Sequence, residues 1–367
     1  MKFTVSQSAL SEALAVVTKG MASNSTLAIL SGIYIKAEDG MLVFQTTNLT
    51  ISIRHRIAAN VEEPGETVVS GKILSNIVKT LPDAAVEFEG GERVVSITCD
   101  KSTFRLNTLD PRDFPEFPQF ALEQTIELPS ALLSELVDKV YKVTSKDSSR
   151  PVLAGVLLTV EENTIRLVAT DSFRMAVADS NVETSTLDGT FTTIVPGNTF
   201  HDVLTLPSMT ETVLIGTTDS QVVFVFGNTT YIARKIDGQF PNYRQVIPPS
   251  CNTTVEIDLP QFAAALKRVS VIALSNPSVR FDIDADGKVM KLSASSPDQG
   301  ESTETIPVEV TGEGMSIALN YHYIFDCVNA ASGEDKITLE LQSTMQPGIF
   351  KSYSKINYLY LLMPVRI

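Results

Sequence analysis

The chain contains no tryptophan and, in 367 residues, only three cysteines and three histidines. Cys99, Cys251 and Cys327 are scattered and form no CxxC pair, which argues against a cysteine zinc site and fits a reducing compartment. His55, His201 and His322 fall in no recurring motif, and GxGxxG, Walker A, GxSxG and HExxH patterns are all missing. No catalytic residue, metal or cofactor is therefore expected, and the histidines are expected in structural or surface roles. No run approaches the roughly 18 apolar residues of a membrane span. The opening Met1-Lys2-Phe3-Thr4-Val5-Ser6-Gln7 lacks a basic region followed by a long apolar stretch, so a cytoplasmic protein with no membrane partner is expected. An excess of positive charge is also missing. With 29 Lys and Arg against 43 Asp and Glu, the formal net charge is -14. Taken alone, this opposes nucleic-acid binding, because neutralising phosphates needs Lys and Arg. Segregation of the cations onto one surface would reverse that conclusion, and net charge does not report it.

What is present is a large apolar fraction, 43% hydrophobic against 20% charged, enough to bury real cores. It is arranged in an internal repeat of roughly 120–130 residues. Each copy opens with a short strand signal and a helix: Phe3–Val5 then Leu10, Ala13, Leu14 and Val17; Ile126–Leu128 then Leu133, Leu136, Val137 and Val140; Val255–Ile257 then Phe262, Ala265, Leu266 and Val269. All three helices share the i, i+3, i+4, i+7 template of an amphipathic helix. Ser130 suits an N-cap and Pro260 a first helical position. Strand signals follow at Ile29–Ile35, Val152–Val160 and Val279–Ile283. Tight turns come next at Asp39-Gly40, Glu162-Asn163 and Asp286-Gly287, and then strands at Leu42–Thr46, Ile165–Ala169 and Val289–Ala294. The first two copies continue as Thr47-Asn48-Leu49 and Thr170-Asp171-Ser172.

A second half with the same grammar completes each copy. Its first strands are expected at Thr67–Val69, Phe191–Val195 and Ser316–Leu319, and its helices at Lys72–Leu81, Asn198–Leu206 and Asn320–Ala330. Further alternating strands follow each helix. The reading is an α+β protein of three repeated domains, 1–121, 122–249 and 250–367, each built of two βαβββ half-units. Proline-rich joins at Pro111–Gln124 and Gly238–Asn252 read as extended linkers.

Two features compete for a functional reading. Asp282-Ile283-Asp284-Ala285-Asp286-Gly287 resembles the start of an EF-hand loop, but the twelfth position is Ser293, not Glu, and the flanks read as strands, so a hairpin turn is expected. The cations are the better lead. Lys139, Lys142 and Lys146 follow Leu136 at helical spacing, off the apolar stripe; Lys267 and Arg268 take the matching face in the third copy; Lys72 and Lys79 lie on a second-half helix. Such a face suits either contact with phosphates or simple solvation, and spacing alone leaves both open. Without aromatic interleaving, any nucleic acid is expected to be held by its backbone.

Several segments, in order along the whole chain, resemble the β subunit of bacterial DNA polymerase III, the sliding-clamp family. They are Met1-Lys2-Phe3, Thr26-Leu27-Ala28-Ile29-Leu30, Val168-Ala169-Thr170-Asp171-Ser172-Phe173-Arg174, Asp237-Gly238-Gln239-Phe240-Pro241-Asn242-Tyr243-Arg244 and Met363-Pro364-Val365-Arg366-Ile367. The resemblance implies a non-enzymatic processivity factor with the DNA clamp fold: a head-to-tail homodimeric ring, sheets outside and helices lining a central hole. Twelve helices side by side at roughly 8–10 Å give a circumference near 110 Å and, after helix radii are subtracted, a hole of roughly 25 Å. That width passes a duplex without gripping it.

The resemblance also implies partners and sites. Double-stranded DNA would be met without sequence preference by Lys72, Lys79, Lys139, Lys142, Lys146, Arg150, Lys267 and Arg268. The polymerase III catalytic subunit, the clamp loader and other polymerases or repair proteins would dock short apolar peptides in a pocket. One side of it would comprise Leu153, Thr170, Ser172, Phe173, Arg174 and Met175, and the other Pro241, Val246, Leu361, Met363, Pro364, Val365 and Arg366, with Arg174 and Arg366 fixing the peptide. The dimer interface would set Phe104 and Leu106 on an edge strand against Ala273 and Leu274. The chain departs from the family's usual residues at Asn24 and Ser25, at Gly197 and Asn198, and at Phe173, where a His or Tyr is common. A repeat-built protein-binding module with no DNA role, or an enzyme with its site between repeats, is the competing class. Retention on circular DNA separates the first, and a substrate-dependent activity the second.

Overall fold

The structure is a computed structural model that describes residues 1–22, 25–91, 93–147, 149–182, 189–273 and 276–365. Among them are six α-helices: α1 (Gln7–Val17), α2 (Gly71–Thr80), α3 (Ser130–Val140), α4 (Gly197–Leu204), α5 (Leu259–Val269) and α6 (Tyr321–Ala330). The repeated apolar template is the buried stripe in each of α1, α3 and α5, as a period of 3.6 residues requires. Side-chain caps fix three of the starts. Ser6 accepts from the amide of Ala9 at 3.3 Å, Asp258 from Gln261 at 2.8 Å and Asn320 from His322 at 2.9 Å. Ser130 is not a cap: it is the first residue of α3, and its buried hydroxyl has no hydrogen-bond partner among the described residues. Pro260 stands second in α5, where its missing N–H is equally harmless.

Each helix sits between one strand and three that follow it, so the chain is six βαβββ half-units in succession. Short strands at Asn60–Glu63 and Glu309–Gly312 are additional and occupy equivalent places in the first and third copies. The strands expected from Ile29 and Val152 begin later, at Gly32 and Gly155, each after a 3-10 turn (Ala28–Ser31 and Pro151–Ala154). Pro151 has no N–H for a ladder. The glycines then admit a close crossing. A Cβ on Gly32 would lie 2.5 Å from Val68, and one on Gly155 2.4 Å from Ile194. The EF-hand-like segment is a hairpin turn between Ser278–Asp284 and Val289–Ser296. Asp284 accepts from the amides of Asp286 and Gly287, and Asp282 accepts from Arg280 and Ser316.

The chain forms two compact units, residues 1–134 with 201–235 and residues 135–200 with 236–367. The first contains a 13-stranded sheet, the second a nine-stranded and a four-stranded sheet. One rule recurs inside them: the last strand of one half-unit pairs antiparallel with the last strand of another. In the first unit Ile51–Ala58 pairs with Thr229–Arg234, with Thr229 opposite His55. In the second, Arg174–Asn181 pairs with Asn357–Leu362, with Asn357 opposite Asp179. Two last strands are left over. Ser102–Leu109 has a second neighbour only at Thr108 and Leu109, and Gly300–Pro307 is the outermost strand of the four-stranded sheet.

Candidate functional site

In the second unit a cleft of about 250 Å³ opens over the junction of Arg174–Asn181 with Asn357–Leu362. That is below the roughly 300–1,000 Å³ of a site for a drug-sized ligand and suits a few apolar side chains. Its floor is Met175 and Leu361, both almost fully buried and continuous with a core of Leu157, Val168, Val177, Ile194 and Ile349. Leu153 enters from the Pro151–Ala154 turn, and Pro241, Asn242, Tyr243 and Val246 from the second proline-rich join, which winds into a 3-10 turn at Tyr243–Val246. The rim is apolar yet open to solvent: Phe173 is 60% exposed, Val246 54% and Met363 42%. Large apolar side chains grouped this way mark a contact surface.

Ten of the residues expected to form the pocket line this cleft: Leu153, Thr170, Ser172, Phe173, Arg174, Met175, Pro241, Val246, Leu361 and Met363. Asn242 and Tyr243 were not expected, although they lie in the Phe240-Pro241-Asn242-Tyr243 run that carried the resemblance. Pro364 and Val365 lie beyond the lining, and the Val365 amide donates to the carbonyl of Ala318 at 2.8 Å. Arg366 is outside the described residues.

Three of the polar members of the cleft, Thr170, Ser172 and Arg174, are already committed. Thr170 Oγ1 donates to the Arg174 carbonyl at 2.8 Å, and Ser172 Oγ accepts from Arg150 Nη1 at 2.8 Å. Arg174 does not reach outward as expected. Its side chain is 8% exposed, and its guanidinium meets Asp171 at 2.9 Å, Asp326 at 2.5 Å, the Tyr360 hydroxyl at 3.1 Å and the Lys142 carbonyl at 3.0 Å. Burial opposes its charge, but Tyr360, Asp326 and Asp171 outweigh that and hold its pKa above the ordinary value. Thr170, Ser172 and Arg174 are thus held by the chain itself, and what the cleft presents is mainly apolar surface.

The expected cations are exposed except Lys139, with Arg150 and Arg268 engaged in ion pairs. Lys72, Lys79, Lys142, Lys146 and Lys267 are exposed. Lys139 is half-buried; its ammonium donates to the Ala330 carbonyl at 2.8 Å and lies 5.3 Å from the Tyr358 ring centre, and burial lowers its pKa. Arg268 is held by Glu304 through two bonds of 2.6 and 3.0 Å. Arg150 bridges Asp147 and the cleft residue Ser172. Of the expected interface, Phe104 and Leu106 are half-buried on the open strand Ser102–Leu109. Ala273 is only 1% exposed, tucked in by the turn that closes α5, with its amide donating to Ser270; Val271, 62% exposed, is the apolar residue that turn offers instead. Leu274 is outside the described residues.

Comparison with known proteins bears on all of this. Three family models match in succession: the DNA polymerase III beta subunit N-terminal domain at residues 1–118, its central domain at 127–242 and its C-terminal domain at 244–366. The chain belongs to the DNA polymerase III beta subunit family. Its function is that of the family, a β sliding clamp: a processivity factor for DNA polymerase III in DNA replication, and not an enzyme. The Beta sliding clamp of Synechococcus elongatus is 27% identical over 374 residues and that of Bacillus subtilis 29% over 378, each match covering 100% of both chains. Among solved structures, the DNA polymerase sliding clamp from Bacillus subtilis superposes with a TM-score of 0.93 at 29% identity, covering 100% of this chain and 99% of that one. The sliding clamp from Bartonella birtlesii bound to griselimycin gives 0.93 at 27% identity, covering both chains fully. The fold is the three-domain clamp fold, and family membership implies DNA and a polymerase as partner classes. Among the described residues, no helix is long and apolar enough to cross a membrane.

Proposed function

We propose that two copies of this clamp close head to tail into a ring around duplex DNA, and that the cleft receives short apolar peptides from polymerases, the clamp loader and repair proteins. The observation that carries the ring is the pair of last strands without a full neighbour. Every other half-unit ends on a partner strand, and an open strand edge is a liability unless it is covered or paired. Ser102–Leu109 of one copy against Gly300–Pro307 of the other satisfies both edges, and the exchange is reciprocal, so it closes. Carrying the registers of the two observed junctions through the repeat sets Phe104 opposite Ser302 or Thr303. Charge agrees with this: Lys101 and Arg105 are exposed on the first edge, Glu301 on the second. In this reading the domains are 1–121, 122–249 and 250–367, and Lys72, Lys79, Lys142, Lys146 and Lys267 face phosphates. Few and weak contacts of this kind permit sliding.

The cleft is read as the docking site because its walls are mainly apolar, its rim is exposed and Thr170, Ser172 and Arg174 are satisfied from within. Each bulky apolar side chain it buries adds roughly 1.5–3 kcal/mol. Val246→Glu puts a charge on the rim without touching the core. It should weaken binding of the C-terminal tail peptide of the cognate polymerase III catalytic subunit about thirtyfold or more by calorimetry, about 2 kcal/mol. Undiminished affinity would place the docking site elsewhere.

A further inference from the structure

We propose that Arg174 is a positioning residue of the cleft, holding the rim from beneath without touching the docked peptide. The inference rests on the docking role of the cleft. The rim is the turn Thr170–Arg174, in which Ser172 sits at a φ of +79°, a region that a non-glycine residue keeps only when its surroundings impose it. Asp171 imposes much of it. Its Oδ1 accepts from the amides of Phe173 at 2.9 Å and Arg174 at 3.0 Å, while its Oδ2 accepts from Arg174 Nε at 2.9 Å. One carboxylate thus joins the turn's backbone to the guanidinium. The other end of the guanidinium is anchored away from the cleft, on Asp326 of α6, on the Tyr360 hydroxyl and on the carbonyl of Lys142, with the Tyr323 ring 4.2 Å from its central carbon. Four of its five N–H groups are directed at these acceptors. The Phe173 carbonyl in turn accepts from the Met363 amide at 2.9 Å. Two of the three exposed apolar rim residues therefore hang on this one turn.

The first repeat supplies an internal control. There Thr47–Ile51 makes the same turn. Asn48 Oδ1 accepts from the amides of Thr50 and Ile51, Thr47 Oγ1 donates to the Ile51 carbonyl, and Leu49 sits at a φ of +72°. Ile51 stands where Arg174 does. The turn forms without an arginine, so what Arg174 adds is its attachment to α6 and to the segment after α3, not the turn itself.

Asp326 and Tyr360 do not line the cleft, and this makes the inference testable. Asp326→Ala and Tyr360→Phe in the full chain should each weaken binding of the same polymerase-tail peptide, Asp326→Ala about tenfold, toward the lower end of the coupling expected between linked sites. Hydrogen exchange at the amides of Phe173, Arg174 and Met363 should quicken alongside. Wild-type affinity and exchange in Asp326→Ala would overturn the inference. So would loss of binding in Arg174→Met with none in Asp326→Ala, which would put the guanidinium on the peptide itself. If Val246→Glu leaves peptide binding intact, it is the docking role that fails. Exchange at Phe173 then decides alone: faster exchange in Asp326→Ala upholds the anchoring, and unchanged exchange overturns it.

Discussion

At the junction inside the first unit, His55 Nδ1 lies 2.8 Å from Thr229 Oγ1, and the Ser208 hydroxyl lies 3.0 Å from that same oxygen. His55 is buried, and burial pushes its pKa below the ordinary 6.5, with Glu12 opposing. Folding therefore favours the neutral ring. The contribution of His55 to stability is full above the unfolded pKa near 6.5 and is lost as pH falls below it, toward and through the depressed folded value. His55→Gln should flatten the fall of the thermal midpoint between neutral and mildly acidic pH; a variant profile as steep as that of the wild type would contradict this. Other single residues differ in how far the sequence betrayed them. The cleft set came from the family resemblance, which runs through local segments such as Thr170–Met175. The engagement of Lys139 and Arg268 was not legible, because their partners lie 191 and 36 residues away and a helical face drawn from spacing cannot see them. The burial of Ala273 was not legible either: periodicity places the end of α5 but not the inward turn that follows.

Among the elements, the six helices were readable because a period of 3.6 residues repeats over each, and the strands because they alternate between turn residues. The 3-10 turns at Ala28–Ser31 and Pro151–Ala154 were missed, since their apolar residues continue the strand-like run. Capping was poorly legible. Ser130 has the right chemistry for a cap but sits one residue too far in, while Asp258, which was not among the expected caps, holds the Gln261 amide at 2.8 Å. Asp258→Ala should cost about 1 kcal/mol in chemical denaturation. A change within error would mean that Pro260 alone sets the start of α5.

For the whole molecule, the sequence disclosed a threefold repeat but not which strands meet, because Thr229 finds His55 from 174 residues away and no local pattern encodes that pairing. The two open last strands are where a single chain leaves its own rule unfinished. Leu106→Lys together with Phe104→Lys should therefore yield folded monomers by light scattering, since both side chains are only half-buried within one chain; a persistent dimer would place the contact on other strands. The ring itself is tested most directly by loading the protein with its cognate loader and ATP onto nicked circular DNA, then cutting the circle. A closed ring stays on the circle through a high-salt wash and slides off once the DNA is linear. Equal retention on circular and linear DNA, or release from both in salt, would contradict encirclement.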